Sequence, residues 1–210
     1  MEREQTIIEE IFNSITHGIG AILSIIGFIV LIINASVYGG STHLISFSIY
    51  GISLILLYLS STLYHAVKHP KAKKVFRTFD HISIFLLISG TYTPFCLLVL
   101  NDGVGLKIFY ALWILTIFGF IIKIFTIGKL RRTTLFIYLA MGWSVVFAFN
   151  PFIEKLNPKG LLWLAAGGLL YTFGTIFYAK EHIKFSHSVW HLFVLGGSLC
   201  HFFAILFYLL

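Results

Sequence analysis

Residues 15–37 read ITHGIGAILSIIGFIVLIINASV and contain no Asp, Glu, Lys or Arg. An α-helix of about 20 apolar residues is long enough to cross the hydrocarbon core of a bilayer. Six further apolar runs of similar length follow along the chain, separated by short polar breaks. The composition agrees, because 58% of the 210 residues are hydrophobic and only 11% are charged. The sequence therefore predicts an all-α polytopic membrane protein, a seven-transmembrane helix bundle in one domain of residues 1–210.

The hydropathy pattern also predicts where each span begins and ends. Residues 1–14 are acidic and amphipathic, so they are predicted to form a short cytoplasmic segment rather than a removable signal peptide. The predicted spans are Ile15–Val37, Leu44–Val67, Thr78–Leu100, Leu106–Ile127, Thr133–Phe152, Gly160–Ala179 and His187–Tyr208.

The basic residues are concentrated in alternate breaks between the spans. The breaks KHPKAKKVFR, GKLRR and KEHIK are basic, whereas YGGSTH and NDGVG contain no Lys or Arg and NPFIEKLNPKG contains two. By the positive-inside rule, the N-terminus is predicted to be cytoplasmic and the C-terminus to lie outside. Membrane orientation thus explains the net charge of +7, and no nucleic-acid partner is expected.

Several polar residues fall at the same predicted depth. Ser61 and His65 lie in the last turns of the second predicted helix, and Asp80 lies at the start of the third. His187 and His191 lie at the start of the seventh. All five are therefore expected near the cytoplasmic face. Chance placement would instead spread them over both leaflets. Ionisable residues in membrane segments are rare and commonly functional, so this level is the predicted site.

The spacing of the histidines indicates a metal site. His187 and His191 are four residues apart and share one helix face, so they can offer two nitrogens to one ion. His65 is the best-placed third ligand, and three imidazoles with an open position for water are typical of catalytic zinc. Zinc is the predicted metal, although imidazole also suits copper, iron and nickel. Because H-x-x-x-H is a weak pattern, helix packing is the alternative interpretation.

Asp80 and Ser61 have predicted roles beside that ion. Zinc bound by three neutral imidazoles keeps a local charge of +2, which favours a nearby carboxylate. We predict that Asp80 holds the water, acts as general base or ligates the metal, and that Ser61 hydrogen-bonds the water or a substrate carbonyl. Alternatively, Asp80 is only a helix N-cap or a partner of Arg77.

Other polar and small residues have simpler predicted roles. Pro94 is expected to kink the third helix. His201 lies about 15 Å along the helix axis from His191, too far to share an ion with it. Interface or packing roles are predicted for His17, His43, His69, His182 and His201. Close helix packing is predicted for Gly167, Gly168, Gly174, Gly196 and Gly197.

Five motifs together resemble the hemolysin III proteins of the progestin and adipoQ receptor superfamily, which are more distantly similar to alkaline ceramidases. The motifs are NSITHG (13–18), SSTLYH (60–65), FDH (79–81), GTYTPF (90–95) and HSVWHLF (187–193), so the resemblance covers essentially the whole chain. It implies a seven-helix bundle of the bacterial cytoplasmic membrane with zinc near the cytoplasmic face. The implied zinc ligands are His65, His187 and His191, with Asp80 near the zinc-bound water and Ser61 beside it.

Three functions follow as hypotheses. The preferred one is a zinc-dependent intramembrane hydrolase of a lipid amide or ester bond, with a membrane lipid as substrate or ligand. The alternative is a pore-forming cytolysin, although no helix carries a continuous polar stripe that would line a channel. A further alternative is a membrane homeostasis or sensor protein with structural zinc. The sequence leaves the oligomeric state open.

Overall fold

The computed structural model describes residues 3–101, 103–126, 130–180 and 182–210. These residues form helices and connecting turns, and no β-strand occurs among them. A π-helical turn, Phe95–Val99, follows the third helix, and a 3₁₀ segment, Trp143–Ala148, separates the fifth from the sixth. The α-helices are α1 (Ile7–Tyr38), α2 (Ser41–Ala66), α3 (Pro70–Pro94), α4 (Gly103–Thr126), α5 (Arg131–Gly142), α6 (Phe149–Lys155), α7 (Pro158–Ala179) and α8 (Ser186–Tyr208).

Within the described ranges, seven helical segments are long and apolar enough to cross a membrane. Five of them are the single helices α1, α2, α4, α7 and α8. The other two are α3 with its π-helical turn, and α5 joined to α6 through the 3₁₀ segment. The predicted all-α, seven-transmembrane fold is confirmed.

Two helices begin well before the predicted membrane spans, because each continues beyond its apolar part. α1 begins at Ile7 rather than Ile15, so half of the predicted N-terminal segment is helical. Thr6 and Glu9 form a capping box there, which satisfies free backbone N–H groups at the helix start. α3 begins at Pro70, so Asp80 lies well inside the helix and is not its N-cap. The predicted end of the fourth span, Ile127, lies outside the described residues.

Pro94, which was predicted to kink the third helix, lies where the helix type changes. α3 ends at Pro94, and the chain continues as a π-helical turn. Proline has no N–H and its ring crowds the preceding turn, so a regular α-helix is not maintained through it. The hydroxyls of Thr91 and Thr93 both donate to carbonyls four residues earlier, at 2.7 and 2.8 Å.

Helices α7 and α8 approach closely at glycines. A Cβ atom on Gly167 would lie 2.3 Å from the His201 ring and 3.0 Å from the carbonyl oxygen of Gly197. A Cβ on Gly197 would lie 2.8 Å from the Tyr171 ring. Close packing is thus confirmed for Gly167 and Gly197, as small residues allow between membrane helices. It is wrong for Gly168, where a Cβ would have no atom of the described residues within 4 Å.

The bundle has an apolar surface, and its interior holds buried polar side chains beside an apolar core. Large apolar side chains such as Ile22, Phe118 and Leu162 are exposed on its surface. Buried polar side chains lie between the helices, and Asn13, Ser61 and His191 are among them. An exposed apolar surface is expected of a bundle surrounded by lipid, where polar groups need partners within the protein.

Candidate metal centre

Three histidines converge where α2 ends and α8 begins. His65 lies in the last turn of α2, while His187 and His191 lie in the first two turns of α8. One ring nitrogen from each lies within 4.8 Å of the others. The ring centroids of His187 and His191 are 4.6 Å apart, and His65 lies 5.2 and 5.1 Å from them. The predicted group therefore exists and can hold a metal ion.

Hydrogen bonds orient two of these rings for metal binding. The Nδ1 atom of His65 is 2.6 Å from Oε2 of Glu10, and that of His191 is 3.3 Å from the Asn13 carbonyl oxygen. An imidazole that donates from one ring nitrogen presents the lone pair of the other, as metal-binding histidines commonly do. The Nε2 atom of His65 is buried and has no hydrogen-bond partner among the described residues.

The donor set fits a divalent transition metal. A buried nitrogen without a partner costs free energy, and coordination to a metal would satisfy the Nε2 atom of His65. Neutral imidazoles suit zinc, and three of them leave a position for water in a tetrahedral site. The residues that would hold the ion are His65, His187 and His191.

Asp80 and Ser61 lie beside the three histidines. Both side chains are buried, Asp80 on α3 and Ser61 on α2. The Asp80 carboxyl interacts electrostatically with His65, Ser61 and Arg77. Asp80 is not a member of the group whose ligand atoms lie within 4.8 Å of one another. The structure thus brings the five predicted site residues to one end of the bundle, and it also places Arg77 near Asp80.

Helix α1 contributes polar residues that the sequence analysis missed. Besides Glu10 and Asn13, the Thr16 hydroxyl lies 3.3 Å from Nδ1 of His191. The Asn13 side chain accepts a hydrogen bond of 2.6 Å from Ser188, which lies between the two histidines of α8. Glu10 and Asn13 fell in the segment predicted to lie outside the membrane, and this is why they were missed.

His17 packs between helices, as predicted, and its packing partner is one of the three histidines. Its ring stacks on that of His191, with centroids 3.5 Å apart and planes 14° apart. Both of its ring nitrogens are buried without a hydrogen-bond partner in the described part of the chain. The sequence does contain a signal for this face, because Glu10, Asn13 and His17 are spaced as i, i+3 and i+7 along a helix.

Two other histidines have the ordinary roles that were predicted. His201 contacts α7, with its Nε2 atom 3.1 Å from the carbonyl oxygen of Leu164. The Nδ1 atom of His43 accepts a hydrogen bond of 3.3 Å from the Gly40 backbone at the start of α2.

Comparisons with known proteins agree with this architecture. Residues 5–202 match the family described as "Haemolysin-III related". "Hemolysin-3" of Bacillus cereus is 48% identical over 206 residues, covering 98% of this chain and 94% of the relative. "Hemolysin-3 homolog" of Bacillus subtilis is 46% identical over 203 residues, covering 97% and 95%. "Monocyte to macrophage differentiation factor" of Homo sapiens is 32% identical over 170 residues, covering 77% and 69%.

These matches confirm the resemblance that the five motifs predicted. The bacterial relatives and the seven spans together indicate a multi-pass protein of the cell membrane. The human relative at lower identity fits the predicted superfamily. With a family match over most of its length, the chain belongs to the haemolysin-III-related family.

Proposed function

We propose that this protein is a zinc-dependent intramembrane hydrolase that cleaves an amide or ester bond of a membrane lipid. The observation that carries the proposal is the group of three imidazoles with ring nitrogens within 4.8 Å of one another, beside the buried carboxyl group of Asp80. When bound, zinc would polarise the substrate carbonyl and make water a better nucleophile at neutral pH.

The chain's own residues have distinct tasks in this reaction. His65, His187 and His191 hold the metal. Asp80 orients the attacking water, accepts its proton and returns it to the leaving nitrogen or oxygen. The water oxygen thereby bonds to the carbonyl carbon while the C–N or C–O bond breaks, which gives a fatty acid and an amine or alcohol. Ser61 donates a hydrogen bond to the substrate carbonyl or to the water.

The depth of the site favours a lipid substrate. The charge pattern predicts that the histidine end of the bundle faces the cytoplasm, at the level where lipid headgroups join their acyl chains. Apolar side chains cover the outside of the bundle, so acyl chains can lie against it. A membrane lipid is therefore the proposed partner.

Metal content is the first test. Detergent-purified protein should contain about one zinc per chain by mass spectrometry. The variants His65→Ala and His191→Ala should lose it. His201→Ala, a histidine of the same helix that contacts α7 instead, should keep it. Wild-type protein without bound metal would refute the proposal at this step.

Lipid turnover is the second test. Zinc-loaded protein should release free fatty acid from a ceramide, an acyl amide or a phospholipid, with an active ceramidase as positive control. Asp80→Asn should keep its zinc and lose the release. If zinc-loaded protein releases nothing from any of these lipids, the hydrolase proposal is wrong. A fall in thermal stability on chelation would then support the sensor with structural zinc.

A pore-forming cytolysin is the second candidate, and the name of the Bacillus cereus relative, "Hemolysin-3", favours it. Purified protein would then lyse red cells, and His191→Ala would lyse them equally well. Lysis that disappears with His191→Ala would instead support a role of the metal centre.

A further inference from the structure

We infer that Glu10 is a positioning residue of the metal centre, which holds His65 with its Nε2 atom available to the metal. This inference rests on the metal site of the proposed function and does not depend on hydrolysis.

Both carboxylate oxygens of Glu10 are engaged. Oε2 lies 2.6 Å from Nδ1 of His65, and Oε1 accepts a hydrogen bond of 2.8 Å from Lys73. The His65 side chain is 1% exposed, whereas that of Glu10 is 23% exposed. The carboxylate therefore lies between a buried ring and a cation near the surface.

The contact with Glu10 decides which nitrogen of His65 is free. A carboxylate only accepts hydrogen bonds, so its approach to Nδ1 requires the proton to be on that atom. The lone pair of the neutral ring is then on Nε2, the nitrogen without a hydrogen-bond partner among the described residues. A carboxylate in this place also makes the ring a better ligand, as outer-shell partners of metal-binding histidines do.

Lys73 contacts the other oxygen of the carboxylate. Its ammonium group donates to Glu10 and also to the Tyr64 carbonyl oxygen, at 3.1 Å. Glu10 thus joins α1 to α2 through His65 and to α3 through Lys73. Its effect on helix docking and its effect on the His65 ring have to be separated by experiment. Lys73→Met removes the cation but keeps the carboxylate on the ring.

Glu9 provides a matched control on the same turn of α1. Its carboxylate is buried and contacts Arg3, Thr6 and the backbone N–H of Phe185, the last at 2.8 Å. None of these is a predicted metal ligand. Glu9→Gln therefore makes the same chemical change at the adjacent residue, which has no contact with the three imidazoles among those given above.

The test is zinc affinity measured by competition with a chromogenic chelator in detergent. Glu10→Gln is expected to bind zinc about 10–100-fold more weakly than wild type, as for loss of other outer-shell partners. Glu9→Gln and Lys73→Met are expected to stay close to wild type. Bound Co²⁺ should also give a changed visible absorption spectrum in Glu10→Gln but not in Glu9→Gln. Only the first substitution alters the hydrogen bond of a metal ligand, His65.

Two results would overturn the inference. Equal affinities for Glu10→Gln and Glu9→Gln would mean that Glu10 does not position the ligand. An equal loss in Lys73→Met would mean that docking of the helices, and not the ring contact, controls affinity. If Glu10→Gln does not fold, Glu10→Asp takes its place, and an affinity equal to wild type would refute the positioning role. Failure of wild type to bind zinc would refute the proposed metal centre itself, so the two failures are distinguishable.

Discussion

Gly167→Ala is expected to destabilise the protein by forcing α7 and α8 apart. The added Cβ atom would lie 2.3 Å from the His201 ring and 3.0 Å from the Gly197 carbonyl oxygen. The backbone carbonyl cannot rotate away, and movement of the ring would break its contact of 3.1 Å with the Leu164 carbonyl. Overpacking typically costs about 1–3 kcal/mol and a lost buried hydrogen bond about 1 kcal/mol. Alanine regains about 1 kcal/mol in helix propensity, so the net loss is about 1–3 kcal/mol.

The neighbouring glycine provides the control. A Cβ on Gly168 would meet no atom of the described residues within 4 Å. Gly168→Ala should therefore stabilise the protein by the gain in helix propensity alone, about 1 kcal/mol. The two variants should therefore differ by about 2–4 kcal/mol in free energy of unfolding. The measurement is thermal unfolding of metal-free protein in one detergent, followed by circular dichroism. If both variants unfold at the same temperature, the inferred close approach at Gly167 is wrong.

Two further predictions concern the hydrogen bonds inside the bundle and the metal. Tyr58→Phe removes the hydroxyl that donates to Ser198 at 2.7 Å. The free energy of unfolding should fall by about 1 kcal/mol and no more, since Tyr171 remains as a partner of Ser198. Unchanged unfolding by denaturant would contradict this. Chelation of zinc should lower the thermal stability of wild type, by about 2.7 kcal/mol where free zinc had been 100 times its dissociation constant. The same treatment should leave His191→Ala unchanged, and an equal loss in that variant would show that the chelator acts elsewhere.

The number and type of helices were predictable because the bilayer requires long apolar segments with satisfied backbone groups. Helix ends were less predictable, because hydropathy records the apolar part of a helix and ignores its caps. α1 extends back to Ile7 through the capping box of Thr6 and Glu9, and α3 extends back to Pro70, where proline suits the first turn. The first extension is amphipathic and the second is basic, so the hydropathy pattern left both outside the predicted spans.

The convergence of His65, His187 and His191 was predictable because topology alone brings the end of one helix and the start of another to the same membrane level. Depth, however, does not specify which side chains face each other. The contact of Glu10 with His65 and the stacking of His17 on His191 depend on the rotation of α1 about its axis. That rotation can be predicted from the sequence only if the polar face of α1, with Glu10, Asn13 and His17, is taken to be buried.

The polar residues of α1 lie on its buried face, which the predicted cytoplasmic segment did not anticipate. An amphipathic segment near a membrane is ordinarily expected to lie on the surface with its polar face toward water. In α1 the polar residues Asn13 and His17 are buried, and Ile8 and Ile15 are exposed. Asn13 is accommodated because Ser188 of α8 donates a hydrogen bond to it, and the His17 ring stacks on that of His191. Burial of a polar group costs little once it is hydrogen-bonded, while the apolar face gains by contact with lipid. A polar stripe on a helix next to a predicted intramembrane metal site is therefore better interpreted as the outer shell of that site than as a surface-binding face.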